Sequence, residues 1–142
     1  MKKVNIYLDD IRTPVDPEWI VVRSYDEFVN VIQLYTFDQI ESISLDHDLG
    51  DTAMDEYYNN VSPNYVLDYD NIKEKTGYDC AKWLTNHYMY MKHKYDTWCF
   101  PLVYTHSANP IGAANIMGYI NNFLKNNRKP QTCIHIGIKH NV

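Results

Sequence analysis

The sequence predicts a three-layer α/β sandwich around a mainly parallel, five-stranded sheet. Short runs of β-branched and aromatic residues alternate with segments of helical period, which is the pattern of a sheet covered by helices on both faces. The chain also has 142 residues, 45% apolar and 22% charged, which suits one soluble domain with one core. No repeat or low-complexity tract interrupts it, so residues 1–142 are read as a single domain.

The first strand is "VNIYL" (4–8) and the second "WIVV" (19–22). Only about ten residues separate them, where a parallel crossover usually takes a dozen or more, so the first helix is expected to be shortened or missing, replaced by "IRTPVDPE". Ser24 and Glu27 then form a capping box before a helix that carries Phe28, Val29, Ile32 and Tyr35 at three- and four-residue steps. "IESISL" (40–45) is the third strand. Residues 51–75 follow as a long insertion without sustained period, rich in Asp, Asn and Tyr; a loop of that length is read as a lid over the carboxyl edge of the sheet.

A helix is expected from about Tyr78 to Lys94, with Cys80, Trp83, Leu84, His87, Tyr88 and Met91 on one face. "FPLVY" (100–104) is the fourth strand. Asn109 caps the next helix, with Pro110 in its first turn and Ala114, Met117, Ile120 and Leu124 buried. "TCIHIGIK" (132–139) alternates as the fifth, edge strand.

Several function classes are excluded or disfavoured. No apolar run reaches the roughly 20 residues of a membrane span, and "MKKVNIYLDD" meets aspartate before any signal-peptide pattern, so a cytoplasmic location is expected. The net charge of −5 argues against a long nucleic-acid groove. Cys80, Cys99 and Cys133 are odd in number and lack CxxC spacing, so they are read as buried free thiols, not as a disulfide framework or zinc site.

In parallel sheets, ligands sit beyond the carboxyl ends of the strands. Asp9 and Asp10 leave the first strand there, Asp46, His47 and Asp48 the third, and His106, Ser107 and Asn109 the fourth. Three polar clusters are thus expected to meet at one edge. Crowded carboxylates repel each other unless a cation or a shared proton relieves them. Asp9, Asp10 and Asp46 offer hard oxygen ligands suited to Mg²⁺ or Mn²⁺, while Asp48 either joins them or caps the following turn. Arg12 pairs with a phosphate or with one of these carboxylates. His47 and His106 can move protons near neutral pH or bind a transition metal, whereas His87, His93, His135 and His140 lack such surroundings and are read as structural.

The same motifs resemble the response-regulator receiver domain. By that resemblance Asp9, Asp10 and Asp46 hold Mg²⁺, Asp46 accepts a phosphoryl group, and Ser107 contacts the phosphate. A variant branch of receiver-like domains, proposed to process cyclic phosphates, is closer still: it carries "LDDxRxP", "SLDHDLG", "TGYD" and "HSxN", matched here by "LDDIRTP" (8–14), "SLDHDLG" (44–50), "TGYD" (76–79) and "HSAN" (106–109). The resemblance implies a receiver-like, flavodoxin-like sandwich over almost the whole chain. Lys139 is the candidate counterpart of the receiver's strand-five lysine, in a register the pattern leaves open.

The expected activity is metal-dependent phosphoester hydrolysis on a small cyclic nucleotide or an RNA terminal cyclic phosphate. Asp9, Asp10, Asp46 and Asp48 are the expected metal ligands. His47, His106 and Asp46 are the expected catalytic residues, and the two histidines would shuttle protons. Arg12, Ser107 and Asn109, with the helix start after Pro110, would hold phosphoryl oxygens. Two alternatives stand beside it. One is a non-catalytic module that binds a cyclic or phosphorylated nucleotide or a partner protein, with Tyr57, Tyr58, Tyr65 and Tyr69 stacking on bases; the other is a phosphoaccepting signalling receiver.

Overall fold

A computed structural model describes residues 2–92 and 98–127. Strands β1 (Val4–Leu8), β2 (Trp19–Val22), β3 (Ile40–Leu45) and β4 (Leu102–Thr105) form one parallel sheet in the order β2-β1-β3-β4. The helices are α1 (Tyr25–Gln33), α2 (Asp51–Glu56), α3 (Ser62–Asn64), α4 (Gly77–Lys92) and α5 (Pro110–Asn126). No helix lies between β1 and β2, as the short connection required. The expected fifth strand at 132–139, with Lys139, lies outside the described residues, as does Cys133. Cys80 is a free, buried thiol, whereas Cys99 is disulfide-bonded, which corrects the reading of free thiols throughout.

The register sorts the strand residues into lateral rows, because paired residues of a pleated sheet point to the same face. Ile20, Ile6, Ile43 and Val103 form one row, and Val22, Leu8, Leu45 and Thr105 another on the same face. These rows join Phe28 and Ile32 of α1, Cys80 and Leu84 of α4, and Ile116 and Ile120 of α5 in a single buried core. The opposite face carries Trp19, Asn5, Ser42 and Leu102 in one row and Val21, Tyr7, Ser44 and Tyr104 in the next. Among the described residues no helix belongs to this second face. Its contacts are of another kind: the Ser42 hydroxyl donates to Asn5 Oδ1 at 2.6 Å, and Tyr7 meets Trp19 edge-on.

Local chemistry sets the helix starts much as the sequence suggested. Ser24 Oγ accepts the Glu27 N–H at 3.2 Å, but Glu27 Oε1 accepts the Arg23 N–H at 3.3 Å and not that of Ser24, so only half of the expected capping box forms; Asn109 Oδ1 accepts the Gly112 N–H at 2.9 Å. Thr76 and Asp79 cap α4, since Asp79 Oδ2 accepts the Thr76 N–H at 2.8 Å.

The insertion differs from its expected irregularity. Residues 51–64 are helical, a π-helical turn (Tyr57–Val61) joining α2 to α3. Gly50 has no side chain to cap α2, and Glu74 takes that place by accepting the Ala53 N–H at 2.8 Å and the Thr52 hydroxyl. Buried Glu56 then ties the segment to itself, accepting from Asn60 Nδ2 at 2.7 Å, Asp68 N–H at 2.8 Å and Asn71 Nδ2 at 2.9 Å. Tyr65 ends the helical run in the left-handed region, with φ 56°.

Candidate functional site

The ladder continues one residue past the strands. Asp9 N–H bonds Val22 O, Asp46 N–H bonds Leu8 O, and His106 N–H bonds Leu45 O, at 3.1, 2.9 and 3.1 Å. The next lateral row is therefore Asp9, Asp46 and His106, on the side of the sheet away from the helices. Strand alternation fixes the face and the sheet register fixes the row, and together they bring these three side chains side by side.

Asp9 is the anchor of this side. Its Oδ1 accepts the N–H groups of Ile11 and Arg12 at 2.9 and 2.8 Å, and its Oδ2 meets Arg12 Nε at 2.9 Å and His106 Nε2 at 3.1 Å. Burial pushes this carboxyl up, but the two N–H donors and the Arg12 charge outweigh it, so its pKa is lowered on balance. With Asp9 ionised, His106 must donate from Nε2 and accept the Ser44 hydroxyl at Nδ1, 2.7 Å away. Its ring also stacks on Tyr7, centroids 4.1 Å apart. Burial holds the imidazole down at about 4 despite the pull of Asp9, so His106 is neutral at physiological pH.

Arg12 bridges the loop to the strand ends. Besides Asp9 it donates from Nη2 to His106 O at 2.9 Å and lies 3.8 Å from Asp46 Oδ1. Arg23 fixes the loop from behind, through Asp9 O, Arg12 O and Thr13 Oγ1. The Arg12 side chain is 51% exposed, and its Nη1 has no hydrogen-bond partner among the described residues.

Asp46 accepts the His47 N–H at 2.8 Å, and the nearby Ser107 hydroxyl, whose Oγ accepts the Asn109 N–H at 3.1 Å, favours its charged form. Burial and then the Asp9 charge push its carboxyl up to about 7. Asp10 is raised too, by burial and then by Asp9 and Asp48, and among described groups only its own backbone N–H reaches its carboxylate. One carboxylate oxygen from each of Asp9, Asp10 and Asp46 falls within 4.8 Å of the others, as ligands of one small cation must. Two carboxyls held above their ordinary range, beside a third that is ionised, fit a site that a divalent cation would relieve.

A second network runs under the helices. His47 Nδ1 meets Asp48 Oδ1 at 2.6 Å and Nε2 meets the Tyr69 hydroxyl at 2.9 Å; Asn115 Nδ2 donates to the same hydroxyl at 3.0 Å, and Asn109 Nδ2 to Asp48 at 3.2 Å. Two glycines make room for it. A Cβ on Gly112 would lie 2.3 Å from the His47 ring, and one on Gly77 would lie 1.9 Å from Asp46 O. These contacts give a physical reason for glycine in "TGYD" and at the start of α5.

The expected site residues thus divide. Asp9, Asp10, Asp46, Arg12 and Ser107 gather at the edge. Asp48 is not in the carboxylate group and faces His47 and Asn109. Asn109 is fully buried with both side-chain polar atoms engaged, and His47 and His106 have both ring nitrogens engaged. In this arrangement these three side chains position other groups and offer no free polar atom to a ligand. Sequence reasoning missed Ser44, Tyr7, Arg23 and Asn115. Strand alternation would have placed Ser44 and Tyr7 beneath His106, while nothing local marked Arg23 or Asn115.

A parallel sheet whose strand ends gather an acidic pair, an aspartate and a serine is a receiver-like α/β domain. Residues 4–122 match the family model of the cyclic-phosphate processing receiver domain, and the chain belongs to that family. No curated protein and no solved structure matches it significantly. Among the described residues no helix is long and apolar enough to cross a membrane.

Proposed function

We propose that this domain is a metal-dependent phosphoesterase acting on a small cyclic nucleotide or a terminal cyclic phosphate. The observation that supports it most is the Asp9, Asp10 and Asp46 carboxylate group beside a half-exposed Arg12, in a chain of the cyclic-phosphate processing receiver family. A divalent cation, Mg²⁺ or Mn²⁺, held by these carboxylates would supply charge neutralisation and an acidified water. Arg12, fixed by Asp9 and the His106 carbonyl, presents Nη1 to a phosphoryl oxygen. Ser107, directly after His106 at the end of β4, is proposed to contact the same phosphoryl oxygen. His106 keeps Asp9 ionised and oriented, and His47 holds Asp48 and Tyr69, so both histidines serve as positioning residues in this proposal. The insertion is proposed as a cover for the bound ligand, latched at Tyr69.

A second reading, a module that sequesters the nucleotide without turnover, is favoured by one observation: neither histidine has a free nitrogen with which to carry protons. A screen of cyclic nucleotides and cyclic-phosphate-terminated oligonucleotides with added Mg²⁺ or Mn²⁺ separates the two. Metal-dependent product formation supports hydrolysis, whereas tight binding with unchanged ligand supports sequestration.

A further inference from the structure

The centre of the carboxyl edge is strongly acidic, and an anionic ligand needs cations there beyond Arg12. Lys2 and Lys3 precede β1, and Lys92 and Lys125 close α4 and α5, all toward the opposite edge. Lys73, Lys75 and Lys82 instead lie between the end of the insertion and the first turns of α4. With Tyr69, Thr76 and Tyr78 they line a groove of ≈ 290 Å³.

The two carboxylates in its wall are largely engaged elsewhere. Glu74 caps α2 through Ala53 and Thr52, and Asp79 accepts the Thr76 N–H while its other oxygen is 3.7 Å from Lys82. Lys75 and Lys82 each hold an ammonium 4.8 Å from a tyrosine centroid, Tyr25 and Tyr78 respectively. Neither Lys73 nor Lys75 has an ion pair among the described residues. The groove abuts the backbone behind the acidic centre: a Cβ on Gly77, between the lining residues Thr76 and Tyr78, would lie 1.9 Å from Asp46 O. Tyr69 bonds His47, the neighbour of Asp46, and the Gly77 N–H bonds His47 O at 2.9 Å.

We propose that this groove is a subsite for a second phosphate, so that the preferred ligand carries a cyclic phosphate at one end and a further phosphate on its 5′ side. The proposal rests on the phosphoesterase reading above and narrows its substrate. The further phosphate is either an internucleotide phosphodiester or a 5′-monophosphate, and both have the oxyanions that the lysines recognise.

The test uses the full chain with Mg²⁺ or Mn²⁺ and three substrates: a nucleoside 2′,3′-cyclic phosphate, the same compound bearing a 5′-phosphate, and a dinucleotide ending in the cyclic phosphate with a free 5′-hydroxyl. A lower KM is expected for at least one of the latter two than for the first. The double variant Lys73→Gln, Lys75→Gln, both surface positions, is expected to raise that KM about 5-fold, as loss of partly exposed ion pairs does, with the first substrate's KM and all kcat values unchanged. Which of the two loses affinity identifies the source of the second phosphate. Equal KM values for all three in the wild type, or a double variant that shifts all three alike or none, overturns the subsite. If nothing is turned over, the phosphoesterase reading falls on its own. The groove is then tested by nuclear magnetic resonance titration with the 5′-phosphorylated compound: weaker binding by the double variant supports it, and equal binding overturns it.

Discussion

Replacing Asp46 by Asn tests the electrostatics of the edge directly. Burial, followed by the Asp9 charge, moves this carboxyl from 3.8 to about 7. The folded chain therefore binds more protons than the unfolded one between those values, and the stability this group contributes is fully present below about pH 4 and is lost as pH rises through about 7. At about 1.4 kcal/mol per tenfold change, the full effect is on the order of 4 kcal/mol, and screening by Arg12 and water brings the expected figure to about 2–4 kcal/mol. Asn keeps an acceptor for the His47 N–H but carries no charge. Without divalent ions at pH 8, Asp46→Asn is expected to melt about 6–12 °C above the wild type, at about 3 °C per kcal/mol, and close to it at pH 4. Saturating Mg²⁺ or Mn²⁺ at about 100 times Kd should then stabilise the wild type by about 2.7 kcal/mol and the variant far less. Calorimetry from pH 4 to 8, on chelator-treated protein with and without each ion, reads both effects. A variant less stable than the wild type at pH 8 without ions would refute the burial and repulsion argument, and equal gains from the ion would remove Asp46 from the metal site.

Other perturbations probe the supporting networks. His106→Ala removes one of the two partners of Asp9 Oδ2 and the partner of Ser44 Oγ and opens a cavity on Tyr7, so urea unfolding should show a loss of about 2–4 kcal/mol. Within α5, Gly112→Ala should destabilise by about 3 kcal/mol or more, because its Cβ would press on the His47 ring, whereas Gly118→Ala, with nothing within 4 Å, should stabilise by roughly 0.5–1 kcal/mol. Similar effects at both positions would contradict the tight contact with His47. Glu74→Ala removes the cap of α2 at a cost of about 1–2 kcal/mol, and amide exchange over residues 51–56 should quicken while that of β1 stays protected. Protection of α2 unchanged by that substitution would show that the cap contributes little.

Strand alternation, legible in the sequence, fixes the face each strand-end residue takes, and the register of the folded sheet then aligns the strand ends. Leu8, Leu45 and Thr105 share one lateral row, so Asp9, Asp46 and His106, each one residue later, share the next on the opposite face. Ser24, Asn109 and the Thr76 with Asp79 pair cap their helices through bonds spanning a few residues, and these too are written locally. Tertiary structure alone decided the rest. Asp48 could cap its own turn or join the carboxylates; it turns to His47 and Asn109 because α5 brings Asn109 beneath it. The insertion looked irregular because its helix cap, Glu74, stands 21 residues beyond Ala53, outside the reach of any local periodicity. Both histidines carried the sequence signature of proton carriers, and that signature says nothing about what fills the space around a ring. Tyr69 and Ser44, 22 and 62 residues from the rings they bond, close them off, because a buried polar atom takes whichever partner the folded chain supplies.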